Sequence, residues 1–406
     1  MCTFGGRGII AGAHLRRFYP EDMGEWPVSM PDLDRYFTMA ELVRHVSPGD
    51  AESPAQTWIM GELDGFKPHP PPWGVDVRFK GRGFDSSAER LWGLLHDDLL
   101  RARTTGGQRR LAVATHSVAT KLEVKQGRVT CILCHDLRSP NSPPTVLEGD
   151  TVVLAASPIE SARLVLHSKL GGSGTELPTA GLYLAEHYLC RATIPVRFPT
   201  RGLSGKCVNV VIPPPPGGRE QRFQIDIQGA VNLHDADRLS LRLSGFAAMD
   251  PNPENRIQLL DGDHEWGVPR VSTHIKDIKD SPDDAVRIGV MKAKMRDIAS
   301  KLGTTLEDSQ IILNESGLSN HEVGTLRMGR DDKSSVTDST GKMHSIDNLF
   351  VADAAVFPSI GAANPMLTIT ALAYRLAEHL AKKSGLQPNP RASWSWYDRY
   401  RKSTDA

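Results

Sequence analysis

Long apolar runs are missing from this sequence. The longest, such as Val152–Ala156 and Ala354–Phe357, fall far short of the roughly 18 residues that a membrane span requires, so no crossing of a bilayer is expected. An excess of one charge is missing too: 48 Lys plus Arg stand against 48 Asp plus Glu, which leaves no domain-wide field to draw the chain to nucleic acid or anionic lipid. Cysteine is scarce. Cys2, Cys131, Cys134, Cys190 and Cys207 are too few for a disulfide framework in 406 residues, and the lone C-x-x-C at Cys131 lacks the second pair or nearby His that a metal would require, so no metal site is expected. The N-terminus has no basic segment leading into an apolar run, because Gly5, Gly6, Arg7 and Gly8 interrupt it; no secretory leader is read, and a reducing, cytoplasmic setting is expected. Gly-x-Ser-x-Gly, His-Glu-x-x-His and P-loop patterns are absent, which removes support for hydrolase, metalloprotease and nucleotide-triphosphatase chemistry.

What is present reads as an α/β protein, an α+β arrangement of two domains, at a length that accommodates a cleft between them. Helical spacing is expected over Met30–Val46, Ala88–Arg103, Pro158–Ser168, Ser281–Leu302 and from Asn364-Pro365 to about Lys383. Alternation predicts strands at Leu111–Val118, Ala119–Lys125 and Arg128–Asp136, followed by a Pro/Ser loop at Ser139–Pro144, and later at Arg222–Gln228 and Leu239–Phe246. Thr151–Ala156 is continuously apolar, as expected of a strand covered on both faces, and Asn348–Asp353 is a short apolar strand ending in a carboxylate. Ser53–Gly83 is rich in Pro, Gly and Trp and reads as irregular loop, a lid. The tail Trp394–Arg401 is aromatic and basic, a composition suited either to docking on its own body or to a protein interface.

Chemistry concentrates near the C-terminus. Asn364-Pro365 is a strong helix start, since Asn caps free N–H groups and Pro has none to leave unpaired. A helix N-terminus in that position stabilises negative charge, on a phosphate or on a reduced flavin ring. Upstream stand His321-Glu322-Val323-Gly324-Thr325-Leu326-Arg327-Met328-Gly329 and the strand ending at Asp353.

These segments, taken in order, resemble the glucose-methanol-choline (GMC) family of flavin oxidoreductases. The resemblance extends to Asp250-Pro251-Asn252-Pro253-Glu254-Asn255-Arg256 with Trp266–Pro269, to Thr151–Leu166, to Ala185-Glu186-His187, and to Gly5-Gly6-Arg7 with Trp26-Pro27 and Ala40-Glu41. It implies an incomplete FAD-binding Rossmann-like domain interleaved with a substrate domain built on an antiparallel sheet. The parts are 1–50 as a Gly-rich flavin segment, 51–107 as a lid or substrate-side segment, 108–190 as FAD domain, 191–317 as substrate domain, 318–385 as FAD domain with the catalytic pair, and 386–406 as tail. The implied roles are His321 as general base and Asn364 as its partner on the substrate hydroxyl, with Gly5, Gly6, Arg7, Asp353, Ala354, Asn364, Pro365 and Met366 around the cofactor. The implied reaction is oxidation of a CH–OH group in a sugar, polyol or other alcohol.

The family opens with a Gly-x-Gly-x-x-Gly dinucleotide-binding unit that this sequence does not show; only five residues precede Gly6-Arg7-Gly8. The Gly5–Gly12 loop also lacks the His to which some family members attach FAD, so any FAD is expected to be noncovalent. Two readings follow from the missing unit. Either the missing unit comes from upstream sequence or a partner chain, in which case the exposed apolar edge at Val152–Ala156 predicts aggregation or a homo-oligomer of the isolated chain, or the chain is a flavin-free relative with a lyase or binding role. The retained His321 and Asn364 favour the redox reading.

Overall fold

The computed structural model describes residues 14–44, 46–47, 53–74, 87–139, 141–170, 177–197, 207–232, 235–263 and 267–386. In chain order these form α1 (Met30–Val43), β1 (Val46–Ser47), α2 (Pro54–Glu62), β2 (Trp73–Gly74), α3 (Ser87–Thr105), β3 (Ser117–Lys125), β4 (Arg128–Asp136), β5 (Thr145–Leu147), β6 (Val152–Leu154) and α4 (Pro158–His167). There follow β7 (His187–Arg197), β8 (Cys207–Ile212), β9 (Phe223–Asn232), β10 (Asp235–Ala248), β11 (Arg256–Asp263), β12 (Pro269–His274), α5 (Pro282–Lys301), β13 (Ile312–Leu313), β14 (Leu349–Val351) and α6 (Met366–Lys383). The expected mixture of helix and sheet is what the chain adopts. No helix among the described residues is long and apolar enough to cross a membrane.

The largest sheet has five antiparallel strands in the order β13-β7-β10-β9-β8. Its inward residues alternate along each strand: Phe223, Ile225 and Ile227 on β9, Leu239, Leu241 and Leu243 on β10, and Ala192, Ile194 and Val196 on β7 are all buried. Period-two burial fixes the register, because a one-residue slip would turn this whole set to the opposite face. α5 lies across the sheet against β10, β7 and β9. The expected boundary at residue 190 falls inside β7, whose first residue is His187.

A separate, smaller sheet consists of two parallel strands, β6 and β14, in register Phe350↔Val153. Strands from residues 152 and 349 can pair this way only because α4 and the intervening five-stranded sheet return the chain to the same side. β6 is shorter than the apolar run that announces it. The backbone turns at Ser157, in the left-handed region at φ 80°, and the Ala156 N–H is taken by Ser161 Oγ at 3.1 Å. Nor is it covered on both faces: Val152 and Leu154 are buried, but Val153 is 42% exposed. α1 packs on α6 and starts at a Ser29/Asp32 capping box.

Three other expectations change. Residues 111–116 form no strand; the left-handed His116, at φ 57°, delays extension until β3. β3 and β4 then join through Gln126 and Gly127, both at positive φ, as a two-residue hairpin turn requires. β5 occupies residues beside the expected Pro/Ser loop. The segment 53–83, expected to be irregular, contains α2, started by Pro54 at its first position and held by buried Ala55 and Ile59. Trp394–Arg401 and Gly5–Gly12 lie outside the described residues. Cys131 and Cys134 are free and buried in β4, and no group of three or more His, Cys, Asp or Glu able to hold a metal occurs among the described residues.

Candidate active site

The loop carrying His321 is held on both sides by backbone. Val323 exchanges hydrogen bonds with Ala185 at 2.8 and 3.1 Å, while the N–H groups of Gly324, Leu326 and Met328 donate to the carbonyls of Ala354, Ala355 and Val356 at 2.7–3.0 Å. Asn320, immediately before His321, is in the left-handed region at φ 57°. Buried Glu186 accepts from the Gly317 N–H and from Ser319 Oγ, and Ser319 Oγ in turn accepts the His321 N–H at 3.2 Å. Burial pushes the Glu186 carboxyl up, opposed by the Ser319 bond.

Asn364 reaches the same point from the turn before α6. Its Nδ2 lies 3.5 Å from His321 Nε2, and its Oδ1 accepts from Gln224 Nε2 at 3.2 Å. The pair expected from sequence is therefore brought together. Asn364 does not cap α6, however: Pro365 occupies the cap position and no side chain bonds the first-turn N–H groups. The side chain that the sequence assigns to the cap is used by the site instead.

Three residues complete the cluster that sequence reasoning left without a role. His187, at the start of β7, places Nδ1 2.9 Å from His321 Nδ1 and Nε2 2.6 Å from the Gly361 carbonyl oxygen. The two rings meet edge to face, with Phe246 against both. Gln224 and Asp226 project from β9 opposite its apolar face; Gln224 Nε2 donates to Asp226 Oδ1 at 3.2 Å, and Asp226 Oδ2 faces His14 Nδ1 at 2.9 Å. The sequence signal for these was Gln224-x-Asp226-x-Gln228, polar residues at every second position of a strand whose other face is apolar. Sequence alone could not say that Gln224 and Asp226, 2% and 4% exposed, are buried rather than solvated.

The direction of each bond in this cluster can be read from Asp226. A carboxylate only accepts, so the Gln224 amide nitrogen faces it; that nitrogen also serves Asn364, which leaves Asn364 Oδ1 as the acceptor and turns Nδ2 toward His321. The Gln224 carbonyl oxygen Oε1 is buried without a partner.

The turn before Asn364 is pinned just as closely. Asp22 Oδ2 accepts the Ala362 N–H at 2.9 Å, Arg222 donates to the Ile360 carbonyl at 3.0 Å, and Trp26 Nε1 donates to Ser359 Oγ at 2.9 Å. A Cβ on Gly361 would lie 2.5 Å from Asp22 Oδ2 and 2.8 Å from its Cγ, so a larger residue here would displace the Asp22 carboxylate from the Ala362 N–H. Of the other expected cofactor residues, Asp353 accepts from the N–H groups of Ser157 and Ala355 and from Ser161 Oγ, and burial raises its carboxyl. Ala354 and Pro365 are buried, and Met366 is half-buried with its sulfur near Arg44. Gly5, Gly6 and Arg7 lie outside the described residues.

Burial without a carboxylate partner keeps both rings neutral. It brings His187 down to about 4, and it holds His321 well below the usual histidine value, helped by the neighbouring His187. A histidine whose folded value is depressed binds its proton first in the unfolded chain, so stability is present above the unfolded value and is lost as pH falls. From 6.5 down to about 4, His187 alone should remove about 3 kcal/mol. Denaturant midpoints measured across that range should fall steadily in the wild type and less steeply in His187→Phe; parallel slopes would show that His187 is not buried neutral.

Comparison with known proteins adds the context. Residues 251–373 match the family model described as GMC oxidoreductase. The 6'''-hydroxyparomomycin C oxidase of Streptomyces lividus is 27% identical, over 93% of this chain and 79% of its own length. Paromamine 6'-oxidase of Streptomyces fradiae is 36% identical, but over 36% of this chain and only 26% of its own. An FAD-dependent oxidoreductase from Chaetomium thermophilum shares the fold at a TM-score of 0.65, with 14% identity over 93% of this chain and 85% of that one.

Proposed function

We propose, from the premise that residues 251–373 place this chain in the GMC oxidoreductase family, that it oxidises a CH–OH carbon of a sugar or polyol to a carbonyl, with noncovalent FAD as cofactor. The observation that carries this reading is the pair formed by His321 Nε2 and Asn364 Nδ2. One is an acceptor and the other a donor, and they converge at 3.5 Å. A hydroxyl group is both donor and acceptor, so it matches the pair: its proton points to Nε2 while its oxygen accepts from Nδ2.

His321 takes the hydroxyl proton as general base, which a neutral imidazole can do and an imidazolium cannot. Asn364 cannot titrate, so it orients the substrate oxygen. FAD, when bound, supplies the acceptor for the hydrogen and electron pair leaving the carbon. The residues fit such a group: the first-turn N–H groups of α6 carry no side-chain cap beside the reacting atoms, a place suited to negative charge, and the preceding Gly361-Ala362-Ala363 are small and buried. Ala354, Pro365 and Met366 would border it.

The choice of sugar or polyol over an apolar alcohol rests on the polar side chains behind the pair: Gln224 and Asp226, buried on β9, are joined to Asn364 by hydrogen bonds, so this side of the site is polar rather than apolar. Relatives named pyranose 2-oxidase and C-glycoside 3-oxidase carry sugar substrates in their names, in keeping with this preference.

The direct test is anaerobic. Chain loaded with FAD and freed of excess by gel filtration should retain flavin absorbance without denaturation-resistant attachment, and that absorbance should bleach with sugars or polyols more readily than with long apolar alcohols. Retained flavin that no alcohol bleaches would dismiss the redox reading, and preferential bleaching by apolar alcohols would dismiss the substrate class.

A further inference from the structure

His187 belongs to no part of the reaction as proposed so far, yet it is 2% exposed and both ring nitrogens are engaged. Its partners fix its protons. The Gly361 carbonyl can only accept, so His187 Nε2 carries a hydrogen and donates it across 2.6 Å. A neutral imidazole has only one N–H, so His187 Nδ1 presents a lone pair. That lone pair faces His321 Nδ1 at 2.9 Å, and a hydrogen bond there requires the hydrogen to sit on His321 Nδ1. The remaining nitrogen, His321 Nε2, is then the bare one, and it is the nitrogen beside Asn364.

We infer that His187 is a positioning residue which selects the reactive tautomer of His321 and aims its basic nitrogen at the substrate. The inference rests on the assignment of His321 as base. Two hydrogen-bond chains that begin at acceptor-only groups meet on the same tautomer. One runs from the Asp226 carboxylate through Gln224 and Asn364, and the other from the Gly361 carbonyl through His187. When His321 Nε2 accepts the substrate proton, its Nδ1–H bond to His187 becomes charge-assisted and strengthens. The base thereby gains support at the moment of proton transfer, with no carboxylate that would hold the proton afterwards. Phe246, packed on both rings, keeps their planes from swinging apart.

Two substitutions separate this role from simple support of the Gly361 turn. An asparagine side chain reaches as far as the imidazole Nδ1, so His187→Asn restores an acceptor for His321 and abandons Gly361. A glutamine side chain reaches as far as Nε2, so His187→Gln restores the donor to Gly361 and leaves His321 Nδ1 without its acceptor. The rate constant for anaerobic bleaching of bound FAD should fall about ten- to a hundred-fold in His187→Gln and His187→Phe, and clearly less in His187→Asn, with little change in substrate half-saturation. The losses stay below those of a fully misassigned tautomer because the Asn364 chain still favours the same form.

A second measurement is independent of flavin and of activity. In the 15N-histidine-labelled chain, with the His321 resonances identified by their absence from His321→Ala, nitrogen shifts should show a protonated Nδ1 and an unprotonated Nε2, and this preference should weaken in His187→Phe. A wild-type spectrum with the opposite tautomer overturns the inference even if His321 proves to be the base. Rates that are retained in His187→Gln and lost in His187→Asn overturn it in favour of turn support. Should His321→Ala leave the rate unchanged while the spectrum is as expected, the base assignment fails and the tautomer selection by His187 stands as a structural fact.

Discussion

His321→Ala should lower the rate of substrate-driven flavin bleaching by about 10²- to 10⁴-fold, the range by which a positioned general base accelerates proton transfer. The imidazole's side-chain partners are His187, Asn364 and the Phe246 ring, while the loop around it is tied by backbone bonds from Val323, Gly324, Leu326 and Met328. Secondary structure and flavin retention should therefore change little, while the denaturant midpoint at neutral pH should fall modestly, reflecting the roughly 1–3 kcal/mol cost of leaving His187 Nδ1 unpaired. The pH profile offers a further check. Burial holds His321 well below its ordinary value, and a base is competent above its own value, so the wild-type rate should pass through pH 6.5 without an acidic limb and decline only at lower pH. A rate in His321→Ala within a few-fold of wild type would remove this residue from the chemistry, and a half-maximal rate near pH 6.5 would show a solvated imidazole.

The largest effect on stability should come from Gly324→Ala, three residues from His321. Gly324 has φ +79°, and an added Cβ would lie 2.2 Å from the Tyr183 carbonyl oxygen and 3.1 Å from its carbon. Both obstacles are backbone, so no side-chain rotation relieves them. Tyr183 is itself left-handed at φ 63°, and Thr325 at φ 83°, so the neighbouring chain has no slack to take up the shift. Accommodating the methyl group means breaking the exchange between Val323 and Ala185 and the bond from Gly324 to Ala354. A destabilisation of more than about 4 kcal/mol is expected, in the exceptional range for a single methyl group, with loss of activity because His321 moves with the loop. Chemical denaturation measures it directly; a change under about 1 kcal/mol would mean that the two backbones do not approach as closely as the structure shows.

These two predictions differ in how visible they are beforehand. His321 and Asn364 stand out in the sequence because they occur in ordered motifs, and a residue type that can accept a proton next to one that cannot titrate already suggests a division of labour. The requirement at Gly324 is invisible there: the glycine is legible, but the Tyr183 carbonyl that excludes a side chain comes from a segment 141 residues earlier, brought in by the Ala185–Val323 bridge. His187 is an intermediate case. It belongs to a motif quoted from the sequence, yet its function depends on two partners, Gly361 and His321, more than 130 residues away in chain.

Errors in reading the elements follow the same division. Helices with a proline at the cap or first position and a repeating apolar face, such as α4, α5 and α6, match the sequence expectation nearly to the residue, because their hydrogen bonds are internal and their signals local. α2 was missed because the surrounding Pro, Gly and Trp obscured a nine-residue helix whose stability comes from burying Ala55 and Ile59. Asn364 was expected to cap α6, the cheapest local use of an asparagine; the tertiary structure offered Gln224 as partner and turned it toward His321.

By itself, then, the sequence indicated the α/β class, the alternating strands of the β9–β10 region, the starting points of the long helices, and His321 and Asn364 as candidates for a proton acceptor and its amide neighbour. Those properties depend on period, on local caps and on side-chain chemistry, all of which are written in order along the chain. Only the tertiary structure decided which nitrogen of His321 faces Asn364, that Gln224 keeps an unpaired buried oxygen, and that a second histidine lies against the first. Those properties depend on the direction of hydrogen bonds between segments that meet only after β6 and β14 pair and the β9 strand closes over the turn at Gly361.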